Sequence, residues 1–182
     1  EPLVGRQEGL SIRIALPAPG AAAWLAILAY LINPPWMAWS SLPLPPWLRW
    51  CGLAVAVGTA ALLSATLRHL GPNLTDTVAT RRDHVLVVAG PYRWVRNPFY
   101  VCAALLMTAA SLLSANGFVL VAGAAGVVLL GVRTPIEEEK LIEPSGDTFR
   151  DYMRTTPRFV PGSGLWWRAL AAFLILPGTV AF

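Results

Sequence analysis

Two charged segments carry the side chains that could do chemistry. The first reads HVLVVAGPYRWVRNPFY over residues 84–100, and the second begins RTPIEEEKL at residue 133. In the first segment Gly90-Pro91 predicts a turn, and Pro98 predicts a helix start, where its missing N–H costs nothing. A helix N-terminus has free N–H groups and a positive dipole end. The first segment is therefore suited to bind a carboxylate.

The second segment places opposite charges on one predicted helix. Arg133 and Glu137 are i and i+4 neighbours and share a face. Glu138 is rotated from Glu137 by about 100° around the helix axis. The two adjacent acids therefore cannot share one role.

Each of these features also has a structural interpretation. Arg93 and Arg96 around Trp94 are typical of an anchor at a membrane surface, and residues 137–139 are typical of a solvated helix face. His84 alone is more often an ordinary polar residue than a ligand. The sequence has no second cluster of His, Cys or Asp at ligand spacing, so no metal site is predicted. It also has no P-loop or GxSxG motif, which leaves kinase and hydrolase functions without support.

The elements that must position these segments are apolar. Of the 182 residues 55% are hydrophobic and only 13% are charged, and the mean hydropathy is +0.56. Soluble domains carry about 25% charged residues, so the composition excludes an ordinary cytosolic globule and a disordered chain. A membrane helix needs about 20 apolar residues. The candidate spans are 14–33, 50–67, 98–115 and 117–132, and the turn at Asn116-Gly117 makes the last two a predicted hairpin.

We therefore predict an all-α integral membrane protein, a single membrane domain over residues 1–182 with four to five transmembrane helices. Residues 165–182 either span the membrane or lie along its surface, and the start at Glu1 suggests that N-terminal residues are missing. With four spans, thirteen of the fourteen Lys and Arg and all ten acids lie on one side, in the N-terminal arm, segment 68–97 and segment 133–161 with the residues up to 168. Only Arg49 lies on the other. The positive-inside bias makes the charged side cytoplasmic.

The opposite side is predicted to carry an aromatic belt formed by Trp36, Trp39, Trp47 and Trp50. The net charge of +4 thus reports membrane orientation, and no nucleic-acid partner is expected. Ala122 and Gly126 are four residues apart, which indicates either close helix packing or only the abundance of small residues.

Taken together, the two segments resemble the isoprenylcysteine carboxyl methyltransferase family of integral membrane enzymes. At the positions of the family pattern H-x-L-V-x-x-G-x-Y-x-W-x-R-H-P-x-Y, this sequence has His84, Leu86, Val87, Gly90, Tyr92, Trp94, Arg96, Asn97, Pro98 and Tyr100. At the positions of the later pattern it has Arg133, Glu137, Glu138, Leu141, Ser145, Gly146, Phe149, Tyr152, Pro157, Arg158, Phe159 and Pro161. The match covers about residues 68–161. Three positions depart from the pattern, because Asn97 replaces a histidine, Ser145 a phenylalanine and Phe149 a tyrosine.

The resemblance implies an S-adenosyl-L-methionine-dependent methyltransferase, with its site at the cytoplasmic face of a bacterial or archaeal inner membrane. The implied catalytic residues at the acceptor end are Arg133 and Glu137. The implied cofactor site is lined by His84, Val85, Leu86, Val87, Gly90, Tyr92, Arg96, Asn97, Pro98, Tyr100 and Glu138. The implied acceptor is a carboxylate on a lipidic, isoprenylcysteine-like substrate that enters from the bilayer, and the other expected partners are membrane lipids.

Three other functions remain open from the sequence. The acceptor could be a phospholipid amine, a hydroxyl or a small thiol; an amine or a hydroxyl would need His84 or Glu137 as a base. An NADPH-dependent membrane reductase has a similar helical layout. A membrane scaffold without activity is the third, and Asn97 favours it, because asparagine donates hydrogen bonds but carries no proton charge.

Overall fold

The computed structural model describes residues 18–71 and 86–161, and this part of the chain is nearly all helical. It contains the α-helices Ala18–Ile32 (α1), Pro46–Leu70 (α2), Pro98–Ser114 (α3) and Gly117–Thr155 (α4). Short 3-10 helices occupy Pro34–Ser40 and Gly90–Arg93. The predicted helical fold is confirmed for this part of the chain, whereas the predicted number of four to five spans stays a prediction. The predicted tail 165–182 and the first residues of the 14–33 run lie outside the described residues.

Among the described residues, two helices meet the length and hydropathy of a membrane span. These are Pro46–Leu70 and the part Gly117–Glu139 of α4, with mean hydropathies of 1.7 and 1.9. Only 17% and 22% of their most apolar windows are buried inside the molecule. Apolar helices α1 and α3 are shorter, with 15 and 17 residues. Much of the apolar helix surface therefore faces outward, as in a protein whose solvent is lipid.

The described residues form two compact units. The first contains residues 18–61 and 100–137, and the second contains residues 62–71, 86–99 and 138–161. The boundary passes through α3 between Phe99 and Tyr100, and through α4 between Glu137 and Glu138.

In the first unit, small residues let helices approach closely. A Cβ atom on Gly126 would lie 3.5 Å from the Gly20 backbone of α1, and one on Gly52 would lie 2.8 Å from Leu112 Cβ of α3. Ala122 is buried. The packing interpretation of the Ala122 and Gly126 spacing is thus supported.

The predicted turn between α3 and α4 is confirmed, and a buried asparagine holds it. Asn116 Oδ1 accepts hydrogen bonds from Val119 N at 3.1 Å and from Ser40 Oγ at 2.9 Å. Its Nδ2 donates to Met37 O at 2.9 Å. Asn116 therefore caps the N-terminus of α4 and ties it to the 3-10 helix Pro34–Ser40.

In the second unit, α4 changes direction at Gly146. This residue has φ 54° and ψ −131° inside a segment that is otherwise helical. Only glycine adopts that backbone conformation without strain. The helical residues after Gly146, which include Phe149 and Tyr152, therefore run along a different axis from those before it.

Candidate functional site

Consecutive glutamates on α4 belong to different units and have different partners. Glu137 lies at the end of the first unit, and Glu138 begins the second. Glu137 is half-buried, whereas Glu138 is buried. Glu137 pairs with Arg133 and Glu138 with Arg96, so the two acids have different partners, and their separate roles stay a prediction.

Glu137 forms the centre of a cluster with Tyr100 and Arg133, which we name the acceptor cluster after the role that the family resemblance implies for Arg133 and Glu137. Arg133 Nε lies 2.8 Å from Glu137 Oε1, as the i, i+4 spacing predicted. The second oxygen, Oε2, accepts a short hydrogen bond from the Tyr100 hydroxyl. Arg133 itself is half-exposed, and no other residue of the described part contacts its terminal nitrogens. Glu137 thus fixes the direction of a guanidinium whose outer edge stays accessible.

Glu138 forms the centre of the buried cluster, which we define as Arg96, Glu138 and Arg158. Arg96 donates to both carboxylate oxygens, at 2.9 and 3.3 Å, and Arg158 Nε donates to Oε2 at 2.9 Å. The side chains of Arg96 and Glu138 are only 10% and 6% exposed, whereas that of Arg158 is 45% exposed. A membrane-surface anchor at Arg96 and a solvated face at Glu138 are therefore both wrong. Two guanidiniums share one carboxylate, which leaves the cluster with one excess positive charge.

Main-chain contacts hold the arginines in place. Arg96 Nη1 donates to Met153 O at 2.7 Å. Arg96 N donates to Pro157 O at 2.9 Å, and Asn97 N donates to Arg158 O at 3.1 Å. The segment before α3 and the segment after α4 are thus joined through their backbones. Each of them contributes one arginine to Glu138, Arg96 from the first and Arg158 from the second.

The predicted Gly90-Pro91 turn is confirmed as a 3-10 helix. Both the backbone conformation and a close neighbour of Gly90 require a glycine at this position. Gly90 has φ 59°, and a Cβ atom there would lie about 2.5 Å from the ring of His69. His69, at the end of α2, is a neighbour that the sequence did not reveal. Beyond the turn, Arg93 stacks on the Trp94 ring at 4.7 Å, as an exposed surface anchor does.

Tyr152 of α4 forms a hydrogen bond to the 3-10 helix Gly90–Arg93. Its hydroxyl donates to the Tyr92 carbonyl oxygen. Burial raises the pKa of Tyr152 to about 12, with Tyr92 and Glu138 adding to the rise and Arg96 opposing it. The phenol therefore stays protonated and keeps donating this hydrogen bond through the neutral pH range.

The remaining residues of the implied cofactor site lie in the second unit or at its edge. Leu86 and Val87 are half-buried in a segment without regular secondary structure, which makes no backbone hydrogen bond within the described residues. Asn97 Nδ2 lies 3.5 Å from Glu138 Oε1, at the outer limit of a hydrogen bond. Pro98 begins α3, as predicted, and it is buried. His84 and Val85 lie outside the described residues.

The structure adds two residues to those singled out from the sequence. Arg158 and Tyr152 are positions of the family pattern, to which the sequence assigns no role. The features that point to them are the tail Pro157-Arg158-Phe159 and the spacing of aromatic residues after Gly146. Their partners were not, because Glu138 and Tyr92 lie 20 and 60 residues away along the chain. Tyr100 was expected at the cofactor site, and the structure places its hydroxyl on Glu137 of the acceptor cluster.

Comparison with known proteins identifies the family. The model of the isoprenylcysteine carboxyl methyltransferase (ICMT) family matches residues 51–143, just over half of the chain. A solved structure of the eukaryotic intramembrane Ras methyltransferase ICMT matches with a TM-score of 0.60 and 22% identity. The match covers 86% of this chain and 54% of the eukaryotic one, so the chain spans about half the length of that enzyme. No curated protein sequence matches the chain.

Proposed function

The chain belongs to the isoprenylcysteine carboxyl methyltransferase family, and from this membership we propose that it methylates the carboxylate of a lipidic, isoprenylcysteine-like acceptor in a membrane. When bound, S-adenosyl-L-methionine supplies a methyl group on a positively charged sulfonium, and transfer to a carboxylate oxygen leaves a neutral thioether and a methyl ester. We propose that the charged segments face the cytoplasm of a bacterial or archaeal cell.

The donor set of the second unit fits such a cofactor. Its amino-acid carboxylate needs a cation, and the buried cluster carries one excess positive charge. Arg158 presents that charge, because only its Nε is used on Glu138 and its side chain is 45% exposed. The backbone at Leu86 and Val87, which makes no backbone hydrogen bond within the described residues, offers N–H and C=O groups to polar parts of a ligand. Tyr92 supplies an aromatic ring for a sulfonium.

The acceptor cluster carries the other half of the proposal, and its geometry is the single observation on which the acceptor chemistry rests. Glu137 uses one oxygen on Arg133 and the other on Tyr100, so it is occupied as an orienting group. The outer nitrogens of Arg133 remain for a bidentate contact with the acceptor carboxylate. Arg133 is thus the residue that binds the acceptor, and Glu137 is the residue that positions Arg133.

The chain's residues need supply no base for this reaction. A carboxylate is ionised at neutral pH and is already a nucleophile. The protein's contribution is to hold the acceptor carboxylate in one orientation and to exclude water, effects worth up to ~7–11 kcal/mol in favourable cases. An amine or hydroxyl acceptor would instead need a base such as His84 or Glu137, and both oxygens of Glu137 are engaged.

The test is a substrate screen in detergent with the full chain. Thermal unfolding should show stabilisation by S-adenosylhomocysteine and none by NADPH. Methyl transfer should then be detected with a farnesyl-cysteine analogue and should vary little with pH above 6. A pH profile that rises steeply with the acceptor's own pKa would point to an amine or hydroxyl acceptor, and failure to bind any adenosyl cofactor would refute the proposal.

Arg133→Ala tests the proposal that Arg133 binds the acceptor and not the cofactor. Turnover should be abolished while S-adenosylhomocysteine binds with nearly unchanged affinity. Arg150→Ala is the matched control, because Arg150 also forms an exposed ion pair on α4, with Asp147 at 2.9 Å. Equal loss of turnover and cofactor binding in Arg133→Ala, seen by calorimetry, would reject the assignment.

A further inference from the structure

We propose that the first unit binds an anionic phospholipid in a groove beside Arg49. The inference rests only on the membrane location in the proposed function, and it is independent of methyl transfer. Arg49 is the single basic residue predicted on the side of the membrane away from the two charged segments. In the structure, Arg49 lies beside an apolar groove that a lipid chain could occupy.

The groove lies between the start of α2 and the end of α3. It is lined by Pro46, Arg49, Trp50, Leu53 and Leu113 and has a volume of about 280 Å³. The four α2 residues recur at helical spacing and form one stripe. Apart from Arg49 the lining side chains are apolar. Pockets for whole small molecules measure about 300–1,000 Å³, so this open groove suits a stretch of one hydrocarbon chain.

Arg49 is held in place by neutral hydrogen-bond acceptors. Its Nε and Nη2 donate to Leu113 O at 3.1 and 2.9 Å, and Nη2 lies 3.4 Å from the Tyr30 hydroxyl. In the described residues Nη1 makes no hydrogen bond and no carboxylate lies within ion-pair distance. Glu137 is the one acidic residue in the described part of this unit, and it pairs with Arg133. The guanidinium is therefore oriented before any ligand arrives, which lowers the entropy lost on binding.

The neighbouring aromatics place this cation at the depth of lipid headgroups. Trp47 and Trp50 flank Arg49 and are 64% and 70% exposed. Tryptophan in such positions is typical of the membrane–water interface. Leu53 lies four residues further along α2, about 6 Å deeper. A phosphate on Arg49 Nη1 would thus leave the attached chain in position to follow Trp50 and Leu53.

Charge selects the lipid class. An anionic phospholipid brings one negative phosphate to a guanidinium that has no ion-pair partner among the described residues. A zwitterionic lipid also brings an ammonium group, and the described residues around Arg49 offer it no carboxylate. Phosphatidylglycerol should therefore bind more tightly than phosphatidylcholine with the same acyl chains.

The experiment measures binding of these two lipids to the full chain in detergent, below the unfolding temperature of every variant. Arg49→Gln should weaken phosphatidylglycerol binding roughly tenfold, because a charge-assisted contact is lost, and should leave phosphatidylcholine binding unchanged. Arg154→Gln removes the same charge from an exposed pair with Asp151 and should change neither. Leu53→Trp, which fills the groove and keeps Arg49, should weaken phosphatidylglycerol binding as well.

Three results would overturn the proposal. They are equal affinity for both lipids in the unaltered chain, unchanged phosphatidylglycerol affinity in Arg49→Gln, and soluble glycerol phosphate binding as tightly as the lipid. The last result would assign a free-anion site instead. None of these measurements depends on a methyl donor, so their outcome is separate from that of the proposed function.

Discussion

The adjacent glutamates of α4 allow one substitution to be compared in two environments. In Glu138→Gln the buried guanidinium of Arg96 loses its counter-charge, although the amide oxygen still accepts a hydrogen bond. Breaking a buried pair by removing one partner costs about 3–5 kcal/mol. The contact with Arg158 adds little, at most about 1 kcal/mol, since that side chain is 45% exposed. We expect a loss of about 3 kcal/mol, at the lower end of the range because of the remaining acceptor.

Glu137→Gln is the matched control. Its partner Arg133 is 49% exposed and Glu137 itself is 32% exposed, so the ion pair contributes about 0–1 kcal/mol. Equilibrium unfolding in mixed detergent should therefore show Glu138→Gln shifted by about two orders of magnitude in the unfolding constant and Glu137→Gln by less than one.

A double variant separates charge burial from packing. Arg96→Met with Glu138→Leu replaces the buried pair by apolar side chains of similar length, and it should recover most of the stability lost in Glu138→Gln. The reasoning is refuted if the two single glutamine variants lose the same stability, or if the double variant is the least stable of the set.

Three further predictions concern other parts of the fold. Asn116→Ala should cost about 2–3 kcal/mol in unfolding free energy, because a helix cap and two buried contacts are lost together; an unchanged unfolding midpoint would contradict this role. Gly146→Ala should cost about 1–3 kcal/mol through backbone strain, since among the described residues no atom beyond its chain neighbours and nearby helix backbone lies within 4 Å of the added Cβ, whereas Gly131→Ala, equally open but helical, should be neutral or slightly stabilising. Tyr152 has a pKa of about 12 in the folded state against about 10 when unfolded, so its stabilising effect is complete below pH 10 and falls as the pH rises to 12. The difference in unfolding free energy between the unaltered chain and Tyr152→Phe, measured by denaturation from pH 9 to 11.5, should therefore shrink as the pH rises. A constant difference would rule this out.

Features that depend on residues near one another in the chain were predictable. The turn at Asn116-Gly117, the helix start at Pro98 and the pair Arg133–Glu137 each follow from local backbone preferences or helical spacing, and the structure contains all three. The ordered motifs by themselves also indicate the family, because they place specific residue types at fixed spacings along the chain.

Features that depend on distant residues were not predictable. Spacing alone separated Glu138 from Glu137, but its partners Arg96 and Arg158 lie 42 and 20 residues away. The sequence therefore favoured a solvated acid at a position where the fold buries an ion cluster. The contact between His69 and Gly90 likewise joins residues that no local pattern connects.

What the amino-acid sequence alone determined is an apolar helical chain with its charge confined to a few segments, since hydropathy and helical periodicity are local properties. Only the tertiary structure decided which charges are buried. The free energy of an ion pair depends on the surrounding dielectric and on partners that the fold brings together. That is why two adjacent residues of the same type have different partners: Glu137 pairs with the exposed Arg133, and Glu138 neutralises the buried Arg96.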